Sequence, residues 1–502
     1  MPYTVCIADA QYICNEICII RDLVIIFKED FLLMLKKTRL VCTMGPACDN
    51  EETLRKMMEN GMNVARFNFS HGSYDEHLGR YNRIVKIRSE LGLPVATLFD
   101  SKGPEIRFRL FEGGKVTVND GDLFTLTTRE LLGNNTIGSI SYKNLINDVK
   151  VGTSILVNDG LIELKVEEIT DTDIICRVIN GGVISDRKAI NVPGIHLSIP
   201  FLSDVDKNDL EFAMNTGFDF FALSFVRCAE DVLEVRRLQE KHNNTSKLIA
   251  KIENQEGVEN LDEIINAADG IMVARGDMGV EIPFEKVPVV QKDMINKCLR
   301  SGKFVIVATQ MLESMTHNPR PTRAEVNDVA NAIFDQTSAV MLSGESAAGD
   351  YPVEAVKTMS RICREIEKTT TTGKFDITYN GSNIASSISC AACSIASIIN
   401  ADAIIPVSLS GSTIRKVSGF RPNIDIIGCS TNERVCRETS LMWGVTPVLI
   451  TEQEDGEALI NEVISKCKAE GLIKSGSRVV IVAGFPLRIA GATNMIRVVD
   501  VE

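Results

Sequence analysis

Residues 247–253, Lys-Leu-Ile-Ala-Lys-Ile-Glu, and residues 270–276, Gly-Ile-Met-Val-Ala-Arg-Gly, decide how the chain is read. Each is a short run rich in Ile, Val and Leu that ends on charged groups. The stretch between them, 254–269, is long enough for an amphipathic helix and spaces its apolar residues as one. Strand, helix and strand in that order make the βα unit of a parallel sheet. Working outward, the same alternation recurs at 39–45, 63–69, 95–100, 218–225, 304–310 and 339–344, which brings the count of runs to eight. Eight strands, most of them followed by a helix-like segment and held in two stretches that total about 240 residues, predict a (β/α)₈ barrel. Helix punctuation agrees: Pro321 and Pro352 stand where first turns begin, and Gly61, Gly92 and Gly302 where helices stop.

One interval breaks the rhythm. Between the third and fourth runs, residues 101–217 are dense in Val, Thr, Asp and Gly, with turn signals at Gly113-Gly114, Asn119-Asp120-Gly121, Asn158-Asp159-Gly160 and Gly181-Gly182. Alternating runs such as 115–118 and 161–166 lie between them, so a small β-barrel lid domain inserted in a βα loop is expected. Beyond a Thr-rich joint at Thr369 to Thr372, runs at 403–409, 425–430, 446–450 and 478–484 start a separate α/β series. The expected partition is therefore a barrel from 38–104 and 200–368, a lid from 105–199, a C-terminal regulatory or oligomerisation domain from 369–502, and an extension of no assigned role at 1–37. In that extension Arg21, Asp22, Lys28, Glu29 and Asp30 interrupt the apolar stretch 17–35. That argues against a membrane span, and the lack of a basic start and a small-residue cleavage site argues against a secretory leader.

The 502 residues, 44% of them hydrophobic, can fill several cores. A net charge of −13 leaves no global positive field for nucleic acid or anionic lipid, so any anionic ligand must be met by a local basic cluster. The 14 cysteines are sparse for a disulfide scaffold, which points to a reducing, cytoplasmic setting. Cys390-Ala-Ala-Cys393 mimics a redox or half-zinc motif, but it lies in an Ala/Ser/Ile helix with no second pair at ligand spacing. Packed thiols are the reading there, and Cys14 and Cys18 likewise lack His partners.

Barrels of this kind build their active sites at the C-terminal ends of the strands. Those ends carry Arg66, Asn68 and Ser70; Asp100 and Ser101; Ser224 and Arg227; Lys251 and Glu253; Arg275 and Asp277; Thr309 and Gln310; and Ser343 and Glu345. A single polar residue at a strand end is ordinarily a solvated loop group, but this many around one axis form a set. The set combines fixed cations (Arg66, Lys251, Arg107) with carboxylates (Asp100, Glu253, Asp277), the inventory for holding phosphates together with Mg²⁺. Glu253 and Asp277 would supply the one or two carboxylates that Mg²⁺ favours.

At this point the residues resemble a known family. Val41-Cys-Thr-Met-Gly-Pro-Ala47, Asn63-Val-Ala-Arg-Phe-Asn-Phe-Ser-His-Gly72, Asp100-Ser-Lys-Gly-Pro-Glu-Ile-Arg107 and Lys251-Ile-Glu-Asn254 are joined by Ala274-Arg-Gly-Asp-Met-Gly279, Ala308-Thr-Gln-Met-Leu-Glu-Ser314, Pro319-Arg-Pro-Thr-Arg-Ala-Glu-Val326 and Met341-Leu-Ser-Gly-Glu-Ser346. From about Lys37 to the last residue the chain is similar to the pyruvate kinases. The resemblance implies phosphoryl transfer from phosphoenolpyruvate to ADP, giving pyruvate and ATP. It implies Mg²⁺ (or Mn²⁺) on Glu253 and Asp277, with Arg66 and Lys251 on the transferring group and Lys251 stabilising the transition state. It puts Thr309 beside the proton route to the enolate, and the substrate carboxylate on the backbone N–H groups of Gly276 and Asp277. K⁺ would sit on Asn68, Ser70, Asp100 and the Ser101 carbonyl, and Glu105 matches potassium-dependent members. Asn68, His71, Arg107 and Lys188 would hold the nucleotide, and the lid would exclude water. A homotetramer is implied too, as is a sugar-phosphate effector on Ser408, Ser410, Gly411, Ser412 and Thr413 and the segment from Pro486 to Asn494. An ordinary strand-to-helix turn capped by Ser or Thr is the competing reading of that loop.

Departures from the family pattern are Ser101 for Thr, Cys48 for Ser, Ser346 for Thr, Ala189 for Gly, and Leu409 at a position that is basic in some activated members. None removes a charged catalytic group. Two other function classes compete: a catalytically silent metabolite sensor, opposed by the intact Lys251, Glu253, Asp277 and Thr309; and a Mg²⁺-dependent C–C lyase on a related barrel, opposed by the lid and Arg107.

Overall fold

The computed structural model describes residues 36–369, 383–487, 489 and 491–502. The apolar stretch at 17–35, Cys14, Cys18 and most of the Thr-rich joint lie outside the described residues.

Eight parallel strands close on themselves in chain order: Arg39–Thr43, Val64–Asn68, Ala96–Asp100, Phe220–Leu223, Lys247–Ile252, Gly270–Ala274, Phe304–Ala308 and Ala339–Leu342. The first strand pairs with the last through Arg39 to Cys42 against Ala339 to Leu342. Strand periodicity of two then sorts the side chains. One parity packs outward beneath the helices, as Leu40, Cys42, Phe99, Phe221, Leu248 and Ala250 do. The other fills the interior with Val41, Val64, Leu98, Phe220, Ala222, Ile249, Met272, Ile306 and Met341. Followed upward, the interior parity reaches Thr43, Arg66, Asp100, Ser224, Lys251 and Glu253; followed downward from Val41 it reaches Arg39. The barrel is thus apolar in its middle and charged at both ends.

Local signals explain the helices. Ser73 and Glu76 form a capping box at the start of helix Tyr74–Leu91, which ends on Gly92 at φ 65°. Thr322 with Glu325 does the same for helix Arg323–Phe334, so Pro321 precedes the N-cap and does not open the helix. Pro352 does open helix Pro352–Glu367.

The insertion forms a seven-stranded curled sheet, mostly antiparallel, with a two-stranded sheet beside it. The curl brings its edges together through a bridge between Phe108 and Ile140, with Arg109 N donating to Ser139 O at 2.8 Å and Ser141 N to Arg107 O at 2.8 Å. It has its own core around Phe108, Phe111, Phe124, Leu126 and Leu164. The C-terminal unit is a five-stranded sheet in which Thr493–Asp500 pairs antiparallel with Arg478–Gly484; the sequence reading had found the four parallel strands and not this one. The strand is amphipathic and half exposed, so it lacks the continuous apolar run that marks a buried parallel strand. Cys390 and Cys393 lie on helix Ile384–Ile398, with Cys393 buried. Leu441 of this unit caps the apolar interior of the barrel from below.

Candidate active site

The upper layer of the barrel gathers into one hydrogen-bonded cluster. Asp100 is fully buried. Its Oδ2 accepts from Arg66 Nε at 2.5 Å, and its Oδ1 from Lys251 Nζ at 3.1 Å. Arg66 is held from the other side, where Nη1 donates to Thr43 Oγ1 at 2.9 Å. Lys251 Nζ also donates to Ser224 Oγ at 2.6 Å and lies 3.0 Å from Glu253 Oε1. Ser224 Oγ in turn donates to the Ser101 carbonyl at 2.7 Å. Glu253 is anchored by Phe225 N–H, which donates to Oε2 at 2.7 Å, while its buried Oε1 takes no well-directed hydrogen bond.

Electrostatics follow from this packing. Burial alone would raise the Asp100 pKa, but Arg66 and Lys251 outweigh it and hold the carboxyl below the ordinary carboxylate range. Burial works against the Lys251 ammonium, yet Asp100 and Glu253 more than offset that, so its pKa is raised. Glu253 goes the other way: burial pushes it up to about 8, Lys251 opposes, and Asp277 adds to the rise. Glu253 Oε1 lies 3.0 Å from the Lys251 ammonium without a well-directed hydrogen bond, so it keeps lone-pair capacity to offer. With the exposed Asp277 it makes a pair of hard oxygen donors of the kind Mg²⁺ takes. Asp100, the Asn68 amide oxygen and the Ser101 carbonyl are likewise hard donors of the kind K⁺ takes. Asn68 pairs with Asp100 across adjacent strands, and its Oδ1 accepts from Ser70 N at 3.1 Å.

Around this core the remaining expected residues fall in two groups. Thr309 has φ 70° and Gln310 φ 53°, conformations that cost a non-glycine residue roughly 1–3 kcal/mol unless held. Arg275 supplies the hold: its guanidinium donates to the Ala308 and Thr309 carbonyls and is fixed by Asp328 through bonds of 2.8 and 2.7 Å. Thr309 Oγ1 accepts from Gly276 N at 2.8 Å, so that amide is already paired, and Asp277 is exposed beside it. Arg107 and Lys188 line a cleft of about 530 Å³ between lid and barrel, together with Asp277 and Phe225. Arg107 is tied to Glu105 and to the Arg187 carbonyl, whereas Lys188 makes no ion pair or side-chain hydrogen bond among the described residues. His71 is exposed at the mouth and does not line that cleft; its loop is pinned by His77, whose ring stacks on Phe69 at 4.1 Å and whose Nε2 meets the His71 carbonyl at 2.8 Å.

Four contributors escaped the sequence reading. Thr43 shares the inward parity of its strand, and that parity was the available signal. Asp328 acts only through Arg275. Asn191, whose Nδ2 donates to Glu281 Oε1 at 2.7 Å, and His196, 2.8 Å from Glu256, join lid to barrel, and no local pattern marks such pairs. The C-terminal strand ends at Pro406, earlier than the expected 409, and the following helix starts at Ser412, so Ser408, Ser410 and Gly411 lie in the turn while Ser412 and Thr413 belong to the helix. Ser408 and Thr413 line a cavity of about 70 Å³ there, with Ser430, Thr431 and Thr493; Ser410, Gly411 and Ser412 do not line it.

Family profiles now bear on this geometry. The profile for the pyruvate kinase barrel domain matches residues 35–356, and that for the pyruvate kinase alpha/beta domain matches 386–499. The chain belongs to the pyruvate kinase family. A pyruvate kinase of Clostridium acetobutylicum is 45% identical over 473 residues, covering 93% of this chain and 100% of that protein. One from Staphylococcus aureus strain MRSA252 is 45% identical over 469 residues, covering 92% of this chain and 80% of the relative. Among solved structures, a pyruvate kinase from Cryptosporidium parvum superimposes with a TM-score of 0.88 at 38% identity, covering 94% of this chain and 98% of that one. Membership of the family agrees with the eight-stranded barrel, the curled-sheet insertion and the C-terminal α/β unit described above. Among the described residues no helix is long and apolar enough to cross a membrane.

Proposed function

We propose that this chain transfers the phosphoryl group of phosphoenolpyruvate to ADP, yielding pyruvate and ATP, as a cytoplasmic enzyme of glycolysis. The observation that carries the reading is the buried Lys251 ammonium, held between Asp100, Glu253 and Ser224 at the mouth of the barrel in a member of this family. Arg66 and Lys251 bind the transferring group and offset its charge in the transition state, with the Asp100 carboxylate fixing both cations in place. Glu253 and Asp277 would hold Mg²⁺, which would supply positive charge against the phosphoryl group. Asn68, Ser70, Asp100 and the Ser101 carbonyl would hold K⁺. The Gly276 and Asp277 amides orient the substrate carboxylate, the first by exchanging its bond to Thr309 Oγ1. Once the P–O bond has broken, the enolate's methylene carbon takes a proton, and Thr309 positions the water that delivers it. Asn68, His71, Arg107 and Lys188 hold ADP, and the lid excludes competing water.

Two features support finer readings. Phe284 and Val289 on the barrel, and Ile384 and Ile398 on the C-terminal unit, are 69–80% exposed, which suits two separate subunit contacts and a homotetramer. The cavity at Ser408 and Thr413, apolar for the most part with hydroxyls at Ser408, Thr413, Ser430, Thr431 and Thr493, is the place where a sugar-phosphate effector would bind. A lactate-dehydrogenase-coupled assay with phosphoenolpyruvate and ADP, with Mg²⁺ and K⁺ each omitted in turn, tests the whole. Pyruvate formation that needs ADP and Mg²⁺ supports it; silence, or C–C cleavage without nucleotide, refutes it. Superimposed phosphoenolpyruvate saturation curves with and without fructose bisphosphates would remove the effector.

A further inference from the structure

On the underside of the barrel, away from the catalytic mouth, Arg421 is 5% exposed and forms no ion pair among the described residues. Its Nη2 donates to the Gln336 carbonyl at 3.1 Å and to Ser338 Oγ at 2.9 Å, and its Cζ lies 4.8 Å from the centre of the Trp443 ring. Its Nε is buried without any partner. A buried guanidinium N–H left unpaired costs free energy comparable to a lost hydrogen bond to a charged group. Arg421 borders a small cleft between barrel and C-terminal unit, with about 10 Å³ of free space, lined also by Lys303, Arg415, Ser418 and Trp443. Among the described residues no Asp or Glu lines it. Arg415 forms no ion pair or side-chain hydrogen bond among the described residues, and Lys303 donates to the Ala268 carbonyl at 2.5 Å, with Asp269 near enough to act on its charge.

Three cations on one small opening, one with an unused donor, make a positive spot in a chain whose overall charge is −13. Burial, reinforced by Arg39, pushes Arg421 down to about 9, the direction expected where compensating negative charge is missing. The free space admits one oxygen-sized atom, with the rest of an anion at the opening where Lys303 and Arg415 stand. Arg421 has Nε as an unused donor, and together with Lys303 and Arg415 the three cations match the double charge of a phosphate group better than a single carboxylate.

We propose that this cleft is an anion site separate from the barrel mouth and from the hydroxyl-lined loop at Ser408, and that it takes a phosphate group, either inorganic or carried by a small metabolite. Bound there, the phosphate bridges helix Ser412–Gly419 to the barrel floor through Arg415 and Lys303.

The sole tryptophan of the chain forms the wall of the cleft, so binding can be read directly. The full-length chain, with Mg²⁺ and K⁺ present, is titrated with potassium phosphate and separately with glycerol phosphate, against KCl at matched ionic strength, while Trp443 fluorescence is followed. A saturable change is expected that is weakened about tenfold by Arg415→Gln and by Lys303→Gln, the loss of roughly one charge-assisted bond, and less by Arg415→Lys. Phosphate should also raise the first unfolding midpoint of the parent more than that of the Lys303→Gln/Arg415→Gln chain. Equal saturation by both probes assigns the site to phosphate itself, and tighter binding of the ester assigns it to a phosphorylated metabolite. A response no different from that to KCl, or a saturable one untouched by both substitutions, overturns the proposal.

Discussion

The two ends of the barrel hold their cations differently, although the floor also pairs Arg437 with the buried Asp219. At the mouth Arg66 and Lys251 are matched by Asp100 and Glu253, so each cation faces a carboxylate at 2.5–3.1 Å. At the floor Arg39 sends its donors to main-chain oxygens, Nε to Met442 O at 2.9 Å and Nη2 to Val445 O at 2.6 Å, while Lys37 and Arg421 flank the Trp443 ring. Carbonyls satisfy Arg39 without a mobile counter-charge, which suits permanent docking of two units, whereas Arg421, with its unpaired Nε, is the exception at the floor. Carboxylates whose own balance is unsettled, as at Glu253, suit a place where further charge arrives and leaves. The difference separates charge used for chemistry from charge used for cohesion.

The sharpest test of that separation is Lys251→Ala. Loss of the mouth's central cation is expected to lower kcat by about 10³-fold or more while leaving substrate binding mostly intact. Near-normal turnover in the coupled assay would break the comparison at its functional end. The matching test at the floor is Arg437→Ala. Arg437 Nε bonds the fully buried Asp219 at 2.9 Å, and Asp219 also accepts from Thr97 N and Oγ1, with Arg88 at 3.8 Å as its remaining cation. Removing Arg437 should cost about 3 kcal/mol, seen as an earlier first transition in denaturant, with kcat at 25 °C unchanged within a factor of two. A variant that keeps its stability but loses turnover would show that the floor takes part in catalysis.

Much of this could be read from the chain, for identifiable reasons. The eight runs at 39–45 through 339–344 were visible because buried parallel strands are continuous apolar stretches, and their polar ends mark the mouth because each strand terminates there. Arg66, Asp100, Lys251 and Glu253 were therefore legible together, even without contacts. Strand Thr493–Asp500 was not, since an exposed antiparallel edge carries no such run. The floor was not legible either: Arg39 is separated from Met442 by 403 residues, and no local pattern announces a pairing made by domain docking. Asp328 was hidden for the same reason, being linked to Thr309 only by way of Arg275.

Glu253 provides a test of intermediate size. Because burial and Asp277 hold its carboxyl proton up to about 8, Mg²⁺ must compete with that proton below this pH. Apparent Mg²⁺ affinity, measured by calorimetry on the free enzyme, should then rise about tenfold per pH unit from pH 6 toward 8 and level off above. A flat profile over that range would mean that Glu253 is already ionised, and that the mouth is as settled in charge as the floor.

The smallest effect is expected where the lid meets the barrel. Asn191 and Glu281 form a single neutral-to-acid hydrogen bond of 2.7 Å, and Glu281 is a half-hidden carboxyl whose pKa is raised by burial, with Asn191 opposing and Asp277 adding. Such a bond contributes about 1 kcal/mol, and opening the lid breaks it without leaving a charge in a dry core. Asn191→Ala should therefore raise the KM for ADP about threefold with kcat held within a factor of two, because the lid closes less often but reaches the same closed arrangement. If kcat falls instead and KM does not, the Asn191–Glu281 contact acts in the transition state, and the lid belongs with the catalytic mouth as part of its charge arrangement.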